Sequence, residues 1–208
     1  MDMIKVGTAG KQGRNRRTIW DEKGRGEIVQ IFVSYSHKTI KSLQFLFCDE
    51  NENGKLVLSN KYGSHEYKSF CAVTFDYPIA FLTSISGSFQ ARVKFGSTLS
   101  SISFGTNKGS YGPFGTPSAR DSKFIFQIGN YPSFGGFHGG TNGCGIGSIG
   151  VYIKPITTPM INFKDLSVKA EKEGVQEKKV NIFHEFLNDS VVISFLFCLW
   201  LFQLFIAI

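Results

Sequence analysis

The sequence is poor in cysteine, methionine and proline. It has 4 cysteines, 3 methionines and 6 prolines among 208 residues. The cysteines Cys48, Cys71, Cys144 and Cys198 are far apart and none forms a CxxC pair, so neither a metal site nor a dense disulfide framework is expected. Free thiols in a reducing compartment are the expectation, and no cofactor is expected.

The first thirteen residues, MDMIKVGTAGKQG, also lack the apolar stretch of a secretory signal peptide. A cytoplasmic or nucleocytoplasmic location is therefore expected.

Glycine and phenylalanine, in contrast, are abundant. The chain has 23 glycines and 21 phenylalanines, 42% of its residues are hydrophobic and 19% are charged. Enough apolar residues are present for a packed core, which excludes disorder of the whole chain. The combination of glycine with aromatic residues favours strands and turns, and excludes a helical bundle or a coiled coil.

The positive charge is unevenly distributed. The net charge is +7, yet residues 157–190 carry five basic and six acidic side chains, so the excess lies in residues 1–156. Such a charge favours weak association with anionic surfaces without identifying a partner. Arg14, Arg16 and Arg17 form a basic cluster, for which a solvated loop is a better explanation than a nucleic-acid contact.

Alternation of apolar and polar residues predicts antiparallel strands through residues 1–156. It is clearest in Glu27–Tyr35, Lys41–Cys48 and Lys123–Ile128. The residues predicted to share one face within each strand are Val29, Ile31, Val33 and Tyr35, then Leu43, Phe45 and Phe47, then Phe124, Phe126 and Ile128. Further candidate strands are Val73–Phe75, Phe81–Phe89, Ser101–Phe104 and Ile149–Lys154. A series of short strands without a convincing helix predicts a sandwich, a barrel or a prism.

Two segments of different composition follow this predicted domain. Within residues 157–190, the stretch Val168–Lys179 has seven charged residues in twelve and no apolar periodicity, so 157–190 is predicted to be a flexible linker. Residues 191–208 contain no charge, and as a helix they would span about 27 Å, close to the thickness of a bilayer core. Three interpretations stay open for this segment: a membrane tail anchor, a tail that the working protein lacks, or a protein interface.

A glycine-rich segment, Phe134–Gly150, contains the pattern GxGxxG at Gly145–Gly150. A dinucleotide site would need a helix after this pattern, and the strand-like sequence VYIKP follows instead. The glycines predict a tight loop whose backbone N–H groups can approach a ligand closely.

Several motifs resemble the jacalin-related lectins. They are the TNKGSYGPFG core of Ser101–Thr116, the GFHG of Gly136–Gly139, the GSIGVY of Gly147–Tyr152, and Trp20-Asp21 ahead of a strand. The resemblance covers residues 4–155 in one register. It implies an all-β, β-prism I fold of three four-stranded antiparallel Greek-key sheets about a pseudo-threefold axis. It also implies carbohydrate binding of mannose or glucose type, with neither catalysis nor a metal.

In this family the sugar site combines a glycine of an N-terminal GG pair with a GxxxD loop before the last strand. Backbone N–H groups donate to sugar hydroxyls, and the carboxylate accepts from them. Carried onto this chain, the site residues are Gly13, Gly143, Cys144, Gly145 and Gly147. Gly147 stands where the aspartate is expected, and the loop has one extra residue between Gly139 and Gly143. Weakened affinity is therefore expected, with Asn142 as an alternative neutral acceptor if the longer loop swings round.

Two other functions compete with sugar binding. The first is a prism that has lost its sugar site and acts as a protein-interaction module, and the second is an adaptor tethered to a membrane through residues 191–208. Homo-oligomers are expected because weak single sites gain from multivalency. Trp20 is expected in the core rather than under a sugar ring, and the histidines are expected in turns or at the surface.

Overall fold

The computed structural model describes residues 3–11, 18–24, 26–49, 52–64, 68–92 and 96–156. These residues form thirteen β-strands. Their bounds are β1 Ile4–Ala9, β2 Thr18–Lys23, β3 Glu27–Ser36, β4 Thr39–Asp49, β5 Lys55–Leu58, β6 Tyr62–Gly63, β7 Ser69–Thr74, β8 Leu82–Arg92, β9 Gly96–Thr106, β10 Gly109–Gly115, β11 Ser122–Gln127, β12 Phe134–Asn142 and β13 Gly145–Ile153.

The strands form three antiparallel sheets. The first has the order β1-β13-β12-β2, the second β10-β9-β8-β11 and the third β5-β4-β3-β7, with the short β6 added beside β4. Sequence neighbours pair in each sheet, and the first sheet brings the two ends of the domain together because β1 pairs with β13. The three-sheet architecture that the resemblance implies is thus present.

The alternation within the predicted strands identifies the core faces. Leu43, Phe45 and Phe47 of β4 are all at most 1% exposed, as their spacing predicts. In β3 the prediction is only partly correct, since Ile28 is buried as Ile31 is, although it is not among the residues predicted to share a face with Ile31. The cause is a β-bulge between Ile28 and Gln30, which adds one residue and reverses the alternation.

The core is rich in stacked aromatic rings contributed by different sheets. Phe45 of the third sheet stacks on Phe137 of the first, with ring centroids 4.1 Å apart. Trp20 stacks on Tyr62 at 4.6 Å and is 5% exposed, so it is a core residue, as predicted. Offset-stacked rings of this kind add a directional preference to the burial of apolar area.

The glycine-rich segment forms two paired strands rather than one long loop. β12 and β13 pair along most of their length, and the turn between them contains only Gly143 and Cys144. Gly150 lies beneath the ring of His138, where an added Cβ would come within 2.3 Å of the imidazole. Because Gly150 has no side chain, the imidazole of His138 can lie across the sheet at this position.

Several predictions concern residues outside the described ranges. They include Gly13, the arginines of the basic cluster, the linker at 157–190 and the apolar segment at 191–208. Within the described ranges, none of the structure is a helix with the length and apolarity that crossing a membrane requires.

Candidate functional site

Three chain segments meet at one end of the domain, beside the turn between β12 and β13. They are the end of β1 with the following residues (9–11), the start of β9 (96–98) and the hairpin (141–147). We call this group of residues the rim. It coincides with the glycine-rich loop that the sequence predicts as the ligand site.

Ser97 joins the three segments. Its backbone N–H donates to the Lys11 carbonyl at 2.8 Å, and its hydroxyl accepts from the Lys11 N–H at 2.6 Å. The single hydroxyl hydrogen lies within reach of the carbonyl oxygens of Gly147, at 2.8 Å, and of Lys11, at 3.0 Å. Ser97 is 5% exposed, so these bonds are made away from solvent.

Asn142 determines the conformation of the hairpin turn. Its side-chain oxygen accepts the backbone N–H groups of Cys144 at 2.8 Å and Gly145 at 3.1 Å. Its side-chain nitrogen donates to the Ser97 carbonyl at 2.8 Å and to the Thr98 hydroxyl at 3.2 Å. The amide therefore stabilises the turn and also fastens it to β9.

Lys41 brings a positive charge to the rim from the third sheet. Its ammonium group donates to the carbonyl oxygen of Cys144 at 3.2 Å, and both residues are partly buried. This contact places a cation beside the turn and occupies one acceptor of the predicted loop.

The five residues predicted for the sugar site have different environments. Gly143 is exposed at the tip of the turn, Cys144 is partly buried, and Gly145 and Gly147 are buried within β13; Gly13 lies outside the described residues. A Cβ added to Gly143 would meet no atom within 4 Å. A ligand therefore has free approach at Gly143 but not at Gly145 or Gly147.

Gly147 faces Asn142. A Cβ on Gly147 would lie 3.3 Å from the side-chain nitrogen of Asn142 and 3.4 Å from the carbonyl oxygens of Gly140 and Ser97. The space beside this residue is thus bounded by an amide group. Asn142 does offer its oxygen as an acceptor, as one sequence-based alternative anticipated, but it offers it to the hairpin itself.

The sequence did not predict Ser97 as a rim residue or Lys41 as a contact of the rim. Both are far from the glycine-rich segment in sequence, and neither belongs to a motif. Only the extra residue between Gly139 and Gly143 signalled a change in the loop.

A second polar group lies on the outer face of the first sheet. Asp21 accepts from the Lys5 ammonium at 2.7 Å and from the Tyr152 hydroxyl at 2.6 Å. Burial opposes ionisation of Asp21, but these two hydrogen bonds outweigh it and lower the pKa of the carboxyl. His138, 5% exposed, lies 2.9 Å from the Val6 carbonyl through Nε2, and burial lowers the pKa of its imidazole. The expectation of a turn or surface histidine is wrong for His138.

No three His, Cys, Asp or Glu side chains lie close enough to hold a metal ion in the part of the chain that the structure describes.

Three antiparallel sheets closed around an aromatic core, with a glycine-lined rim at one end, define a β-prism protein with one candidate ligand site. The family model "Jacalin-like lectin domain" matches residues 9–152, and the chain belongs to this family. The β-prism I fold implied by the sequence is confirmed.

Relatives and solved structures agree with this assignment. Protein RESTRICTED TEV MOVEMENT 1 of Arabidopsis thaliana is 40% identical over 157 residues, which cover 74% of this chain and 88% of that protein. Jacalin-related lectin 2 of the same plant is 32% identical over 162 residues, covering 73% and 86%. The mannose-binding lectin from champedak superposes with a TM-score of 0.63 at 29% identity, covering 74% of this chain and 99% of that lectin.

Proposed function

We propose that this chain is a non-catalytic lectin that binds carbohydrate of mannose or glucose type at the rim. The observation that carries the proposal is the convergence of residues 9–11, 96–98 and 141–147 beside the open turn at Gly143. Family membership and the mannose-binding lectin from champedak support the same ligand class.

The proposed contacts are mainly backbone groups of Gly13, Gly143 and Cys144. Gly145 and Gly147 are buried and have no side chain, so they leave space for the turn and can contact a sugar only through backbone groups. Hydrogen bonds to a carboxylate contribute about 1.5–3 kcal/mol each, and Gly147 provides none. A millimolar complex has only about −4 kcal/mol of binding free energy in total. We therefore expect weak single-site binding, which assembly into homo-oligomers would strengthen.

Substitution of Gly143 tests where the saccharide binds. We expect Gly143→Trp to lower the affinity for methyl α-mannoside at least roughly tenfold, because the indole would cover the turn. An added Cβ meets no atom within 4 Å, so the fold is expected to tolerate the change. Calorimetric titration of the full chain measures the effect.

Gly7→Trp is the matched control, because Gly7 is exposed on β1 and its added Cβ also meets nothing within 4 Å. The control is expected to bind like the wild type. Equal affinity of the two variants would place the saccharide elsewhere than at the turn, and contradict the proposal.

A second candidate function is a protein-interaction module whose sugar site no longer works. The observation that favours it is the occupation of the Cys144 and Gly145 N–H groups by Asn142. The 40% identical relative also carries a name that refers to restricted TEV movement and not to a sugar. A wild-type chain that binds no carbohydrate on a glycan array would favour this candidate.

The tethered version of that module uses residues 191–208 as a membrane anchor, as their composition suggests. Fractionation of cells expressing the chain with and without these residues separates it from the alternative, which is a cytoplasmic or nucleocytoplasmic protein.

A further inference from the structure

The hydrogen-bond donors at the turn are already used within the protein. Each backbone N–H has one hydrogen, and those of Cys144 and Gly145 are directed at the side-chain oxygen of Asn142, with N···O distances of 2.8 and 3.1 Å. Cys144 and Gly145 are two of the five residues that the resemblance places at the sugar site, where backbone N–H groups donate to sugar hydroxyls. A saccharide must therefore displace Asn142 before it can accept from either of them.

The opposite side of the same amide fills the space next to Gly147. The nitrogen of Asn142 is bound to the Ser97 carbonyl and the Thr98 hydroxyl, and it lies 3.3 Å from the position of a Cβ on Gly147. An aspartate introduced at 147 would first meet this nitrogen, whose two hydrogens are already directed at Ser97 and Thr98. The amide could bond to the new carboxylate by exchanging one of these two bonds, and it would then compete with a ligand for that carboxylate.

We propose that Asn142 acts as an internal ligand of the rim and thereby sets its affinity for saccharides. The inference rests on the proposed function, because it names the residue that limits binding at the same site. The side-chain oxygen of Asn142 accepts the two N–H groups in place of a sugar oxygen. Its side-chain nitrogen lies next to Gly147, where the family has an aspartate.

A pair of substitutions tests this role. Asn142→Ala frees two N–H groups, and we expect it to raise the affinity of the full chain for methyl α-mannoside about fivefold. Gly147→Asp alone is expected to change the affinity less than about twofold, because its carboxylate meets the Asn142 amide. The double variant is expected to bind roughly tenfold more tightly than Asn142→Ala alone, a coupling that independent sites would not show.

Asn107 provides the matched control. Its side-chain oxygen accepts from Phe81 N–H at 2.9 Å and its side-chain nitrogen donates to the Ile79 carbonyl at 2.9 Å. Like Asn142, Asn107 therefore forms hydrogen bonds through both ends of its amide, but in another part of the molecule. Asn107→Ala is expected to lower the melting temperature as Asn142→Ala does, but to leave the affinity unchanged. A purely structural role for Asn142 predicts that both variants behave alike.

Amide hydrogen exchange measures how strongly the Cys144 and Gly145 N–H groups are protected when no sugar is present. We expect the Cys144 and Gly145 amides to exchange slowly in the wild type and much faster in Asn142→Ala. Unchanged exchange would overturn the proposal, because the donors would then not depend on Asn142.

The sugar titrations separate the inference from the proposed function. Wild-type binding at the turn that Asn142→Ala fails to strengthen overturns the inference and leaves the function standing. Binding gained only in the double variant supports the internal ligand and contradicts lectin activity of the natural chain. Absence of binding in every variant contradicts both.

Discussion

His138 shows how one buried side chain depends on its neighbours in the sheet. The imidazole crosses β13 above Gly150 and reaches the Val6 carbonyl on β1 at 2.9 Å. The register of β1 shifts between Val6 and Thr8, at the bulge next to this carbonyl. A neutral ring that donates from Nε2 satisfies the carbonyl, whereas a second proton would place a positive charge on a buried ring.

The pKa of His138 makes the stability of the domain pH-dependent. Burial lowers this pKa below the ordinary 6.5, so the unfolded chain binds the proton more readily than the folded protein does. The stability that the neutral imidazole contributes to the folded state is fully present above pH 6.5. It is lost as the pH falls from there through the pKa of His138 in the folded state.

We expect His138→Gln, which keeps a donor for Val6 but does not titrate, to lose less stability than the wild type between about pH 7.5 and about pH 5. Urea unfolding at several pH values measures the difference. Parallel pH profiles for the two proteins would contradict this role.

The residues that sequence analysis located correctly are those whose role depends on local spacing. Leu43, Phe45 and Phe47 were assigned to the core because alternate residues of a strand share a face. Asn142 could not be assigned in this way, because its partners Ser97 and Thr98 are more than forty residues away in sequence and come from another sheet. The bulge at Ile28 was missed for a similar reason: nothing in the alternation marks the inserted residue.

Among the structural elements, the hairpin of β12 and β13 is the one that positions the rim. Its two strands pair closely because glycines leave room for His138 and Trp20, whose side chains lie over Gly150 and Gly139. The dinucleotide-like glycine pattern thus has a packing role within a sheet. Ser97 of β9 then connects the hairpin, at Gly147, with Lys11, two residues after the end of β1, through its hydroxyl.

Removal of this hydroxyl is expected to weaken the connection between the three strands. Ser97→Ala leaves the Gly147 carbonyl without its hydroxyl donor in a buried environment, which costs about 1–3 kcal/mol of unfolding free energy. Ser110→Ala on β10 is the control, because Ser110 is exposed. Denaturant titration gives both values, and a loss no larger than that of the control would show that Ser97 does not hold the rim together.

At the scale of the whole molecule, the part of the chain that forms the three-sheet domain is also the part that carries the positive charge. The charge excess lies in residues 1–156, and Lys41 carries one of these charges to the rim. Sequence resemblance predicted the architecture of this domain because its motifs are spread over 4–155, and the match to residues 9–152 agrees with that extent. The division into linker and tail at 157–190 and 191–208 stays a prediction.

The central claim is that saccharide binds beside the turn at Gly143, and an NMR titration of the full chain with methyl α-mannoside tests it most directly. The account predicts saturable shifts of the Gly143 and Cys144 amides, accompanied by those of the neighbouring Lys11 and Lys41. Saturable shifts confined to another end of the domain, or spectra that do not change up to high sugar concentration, would contradict it.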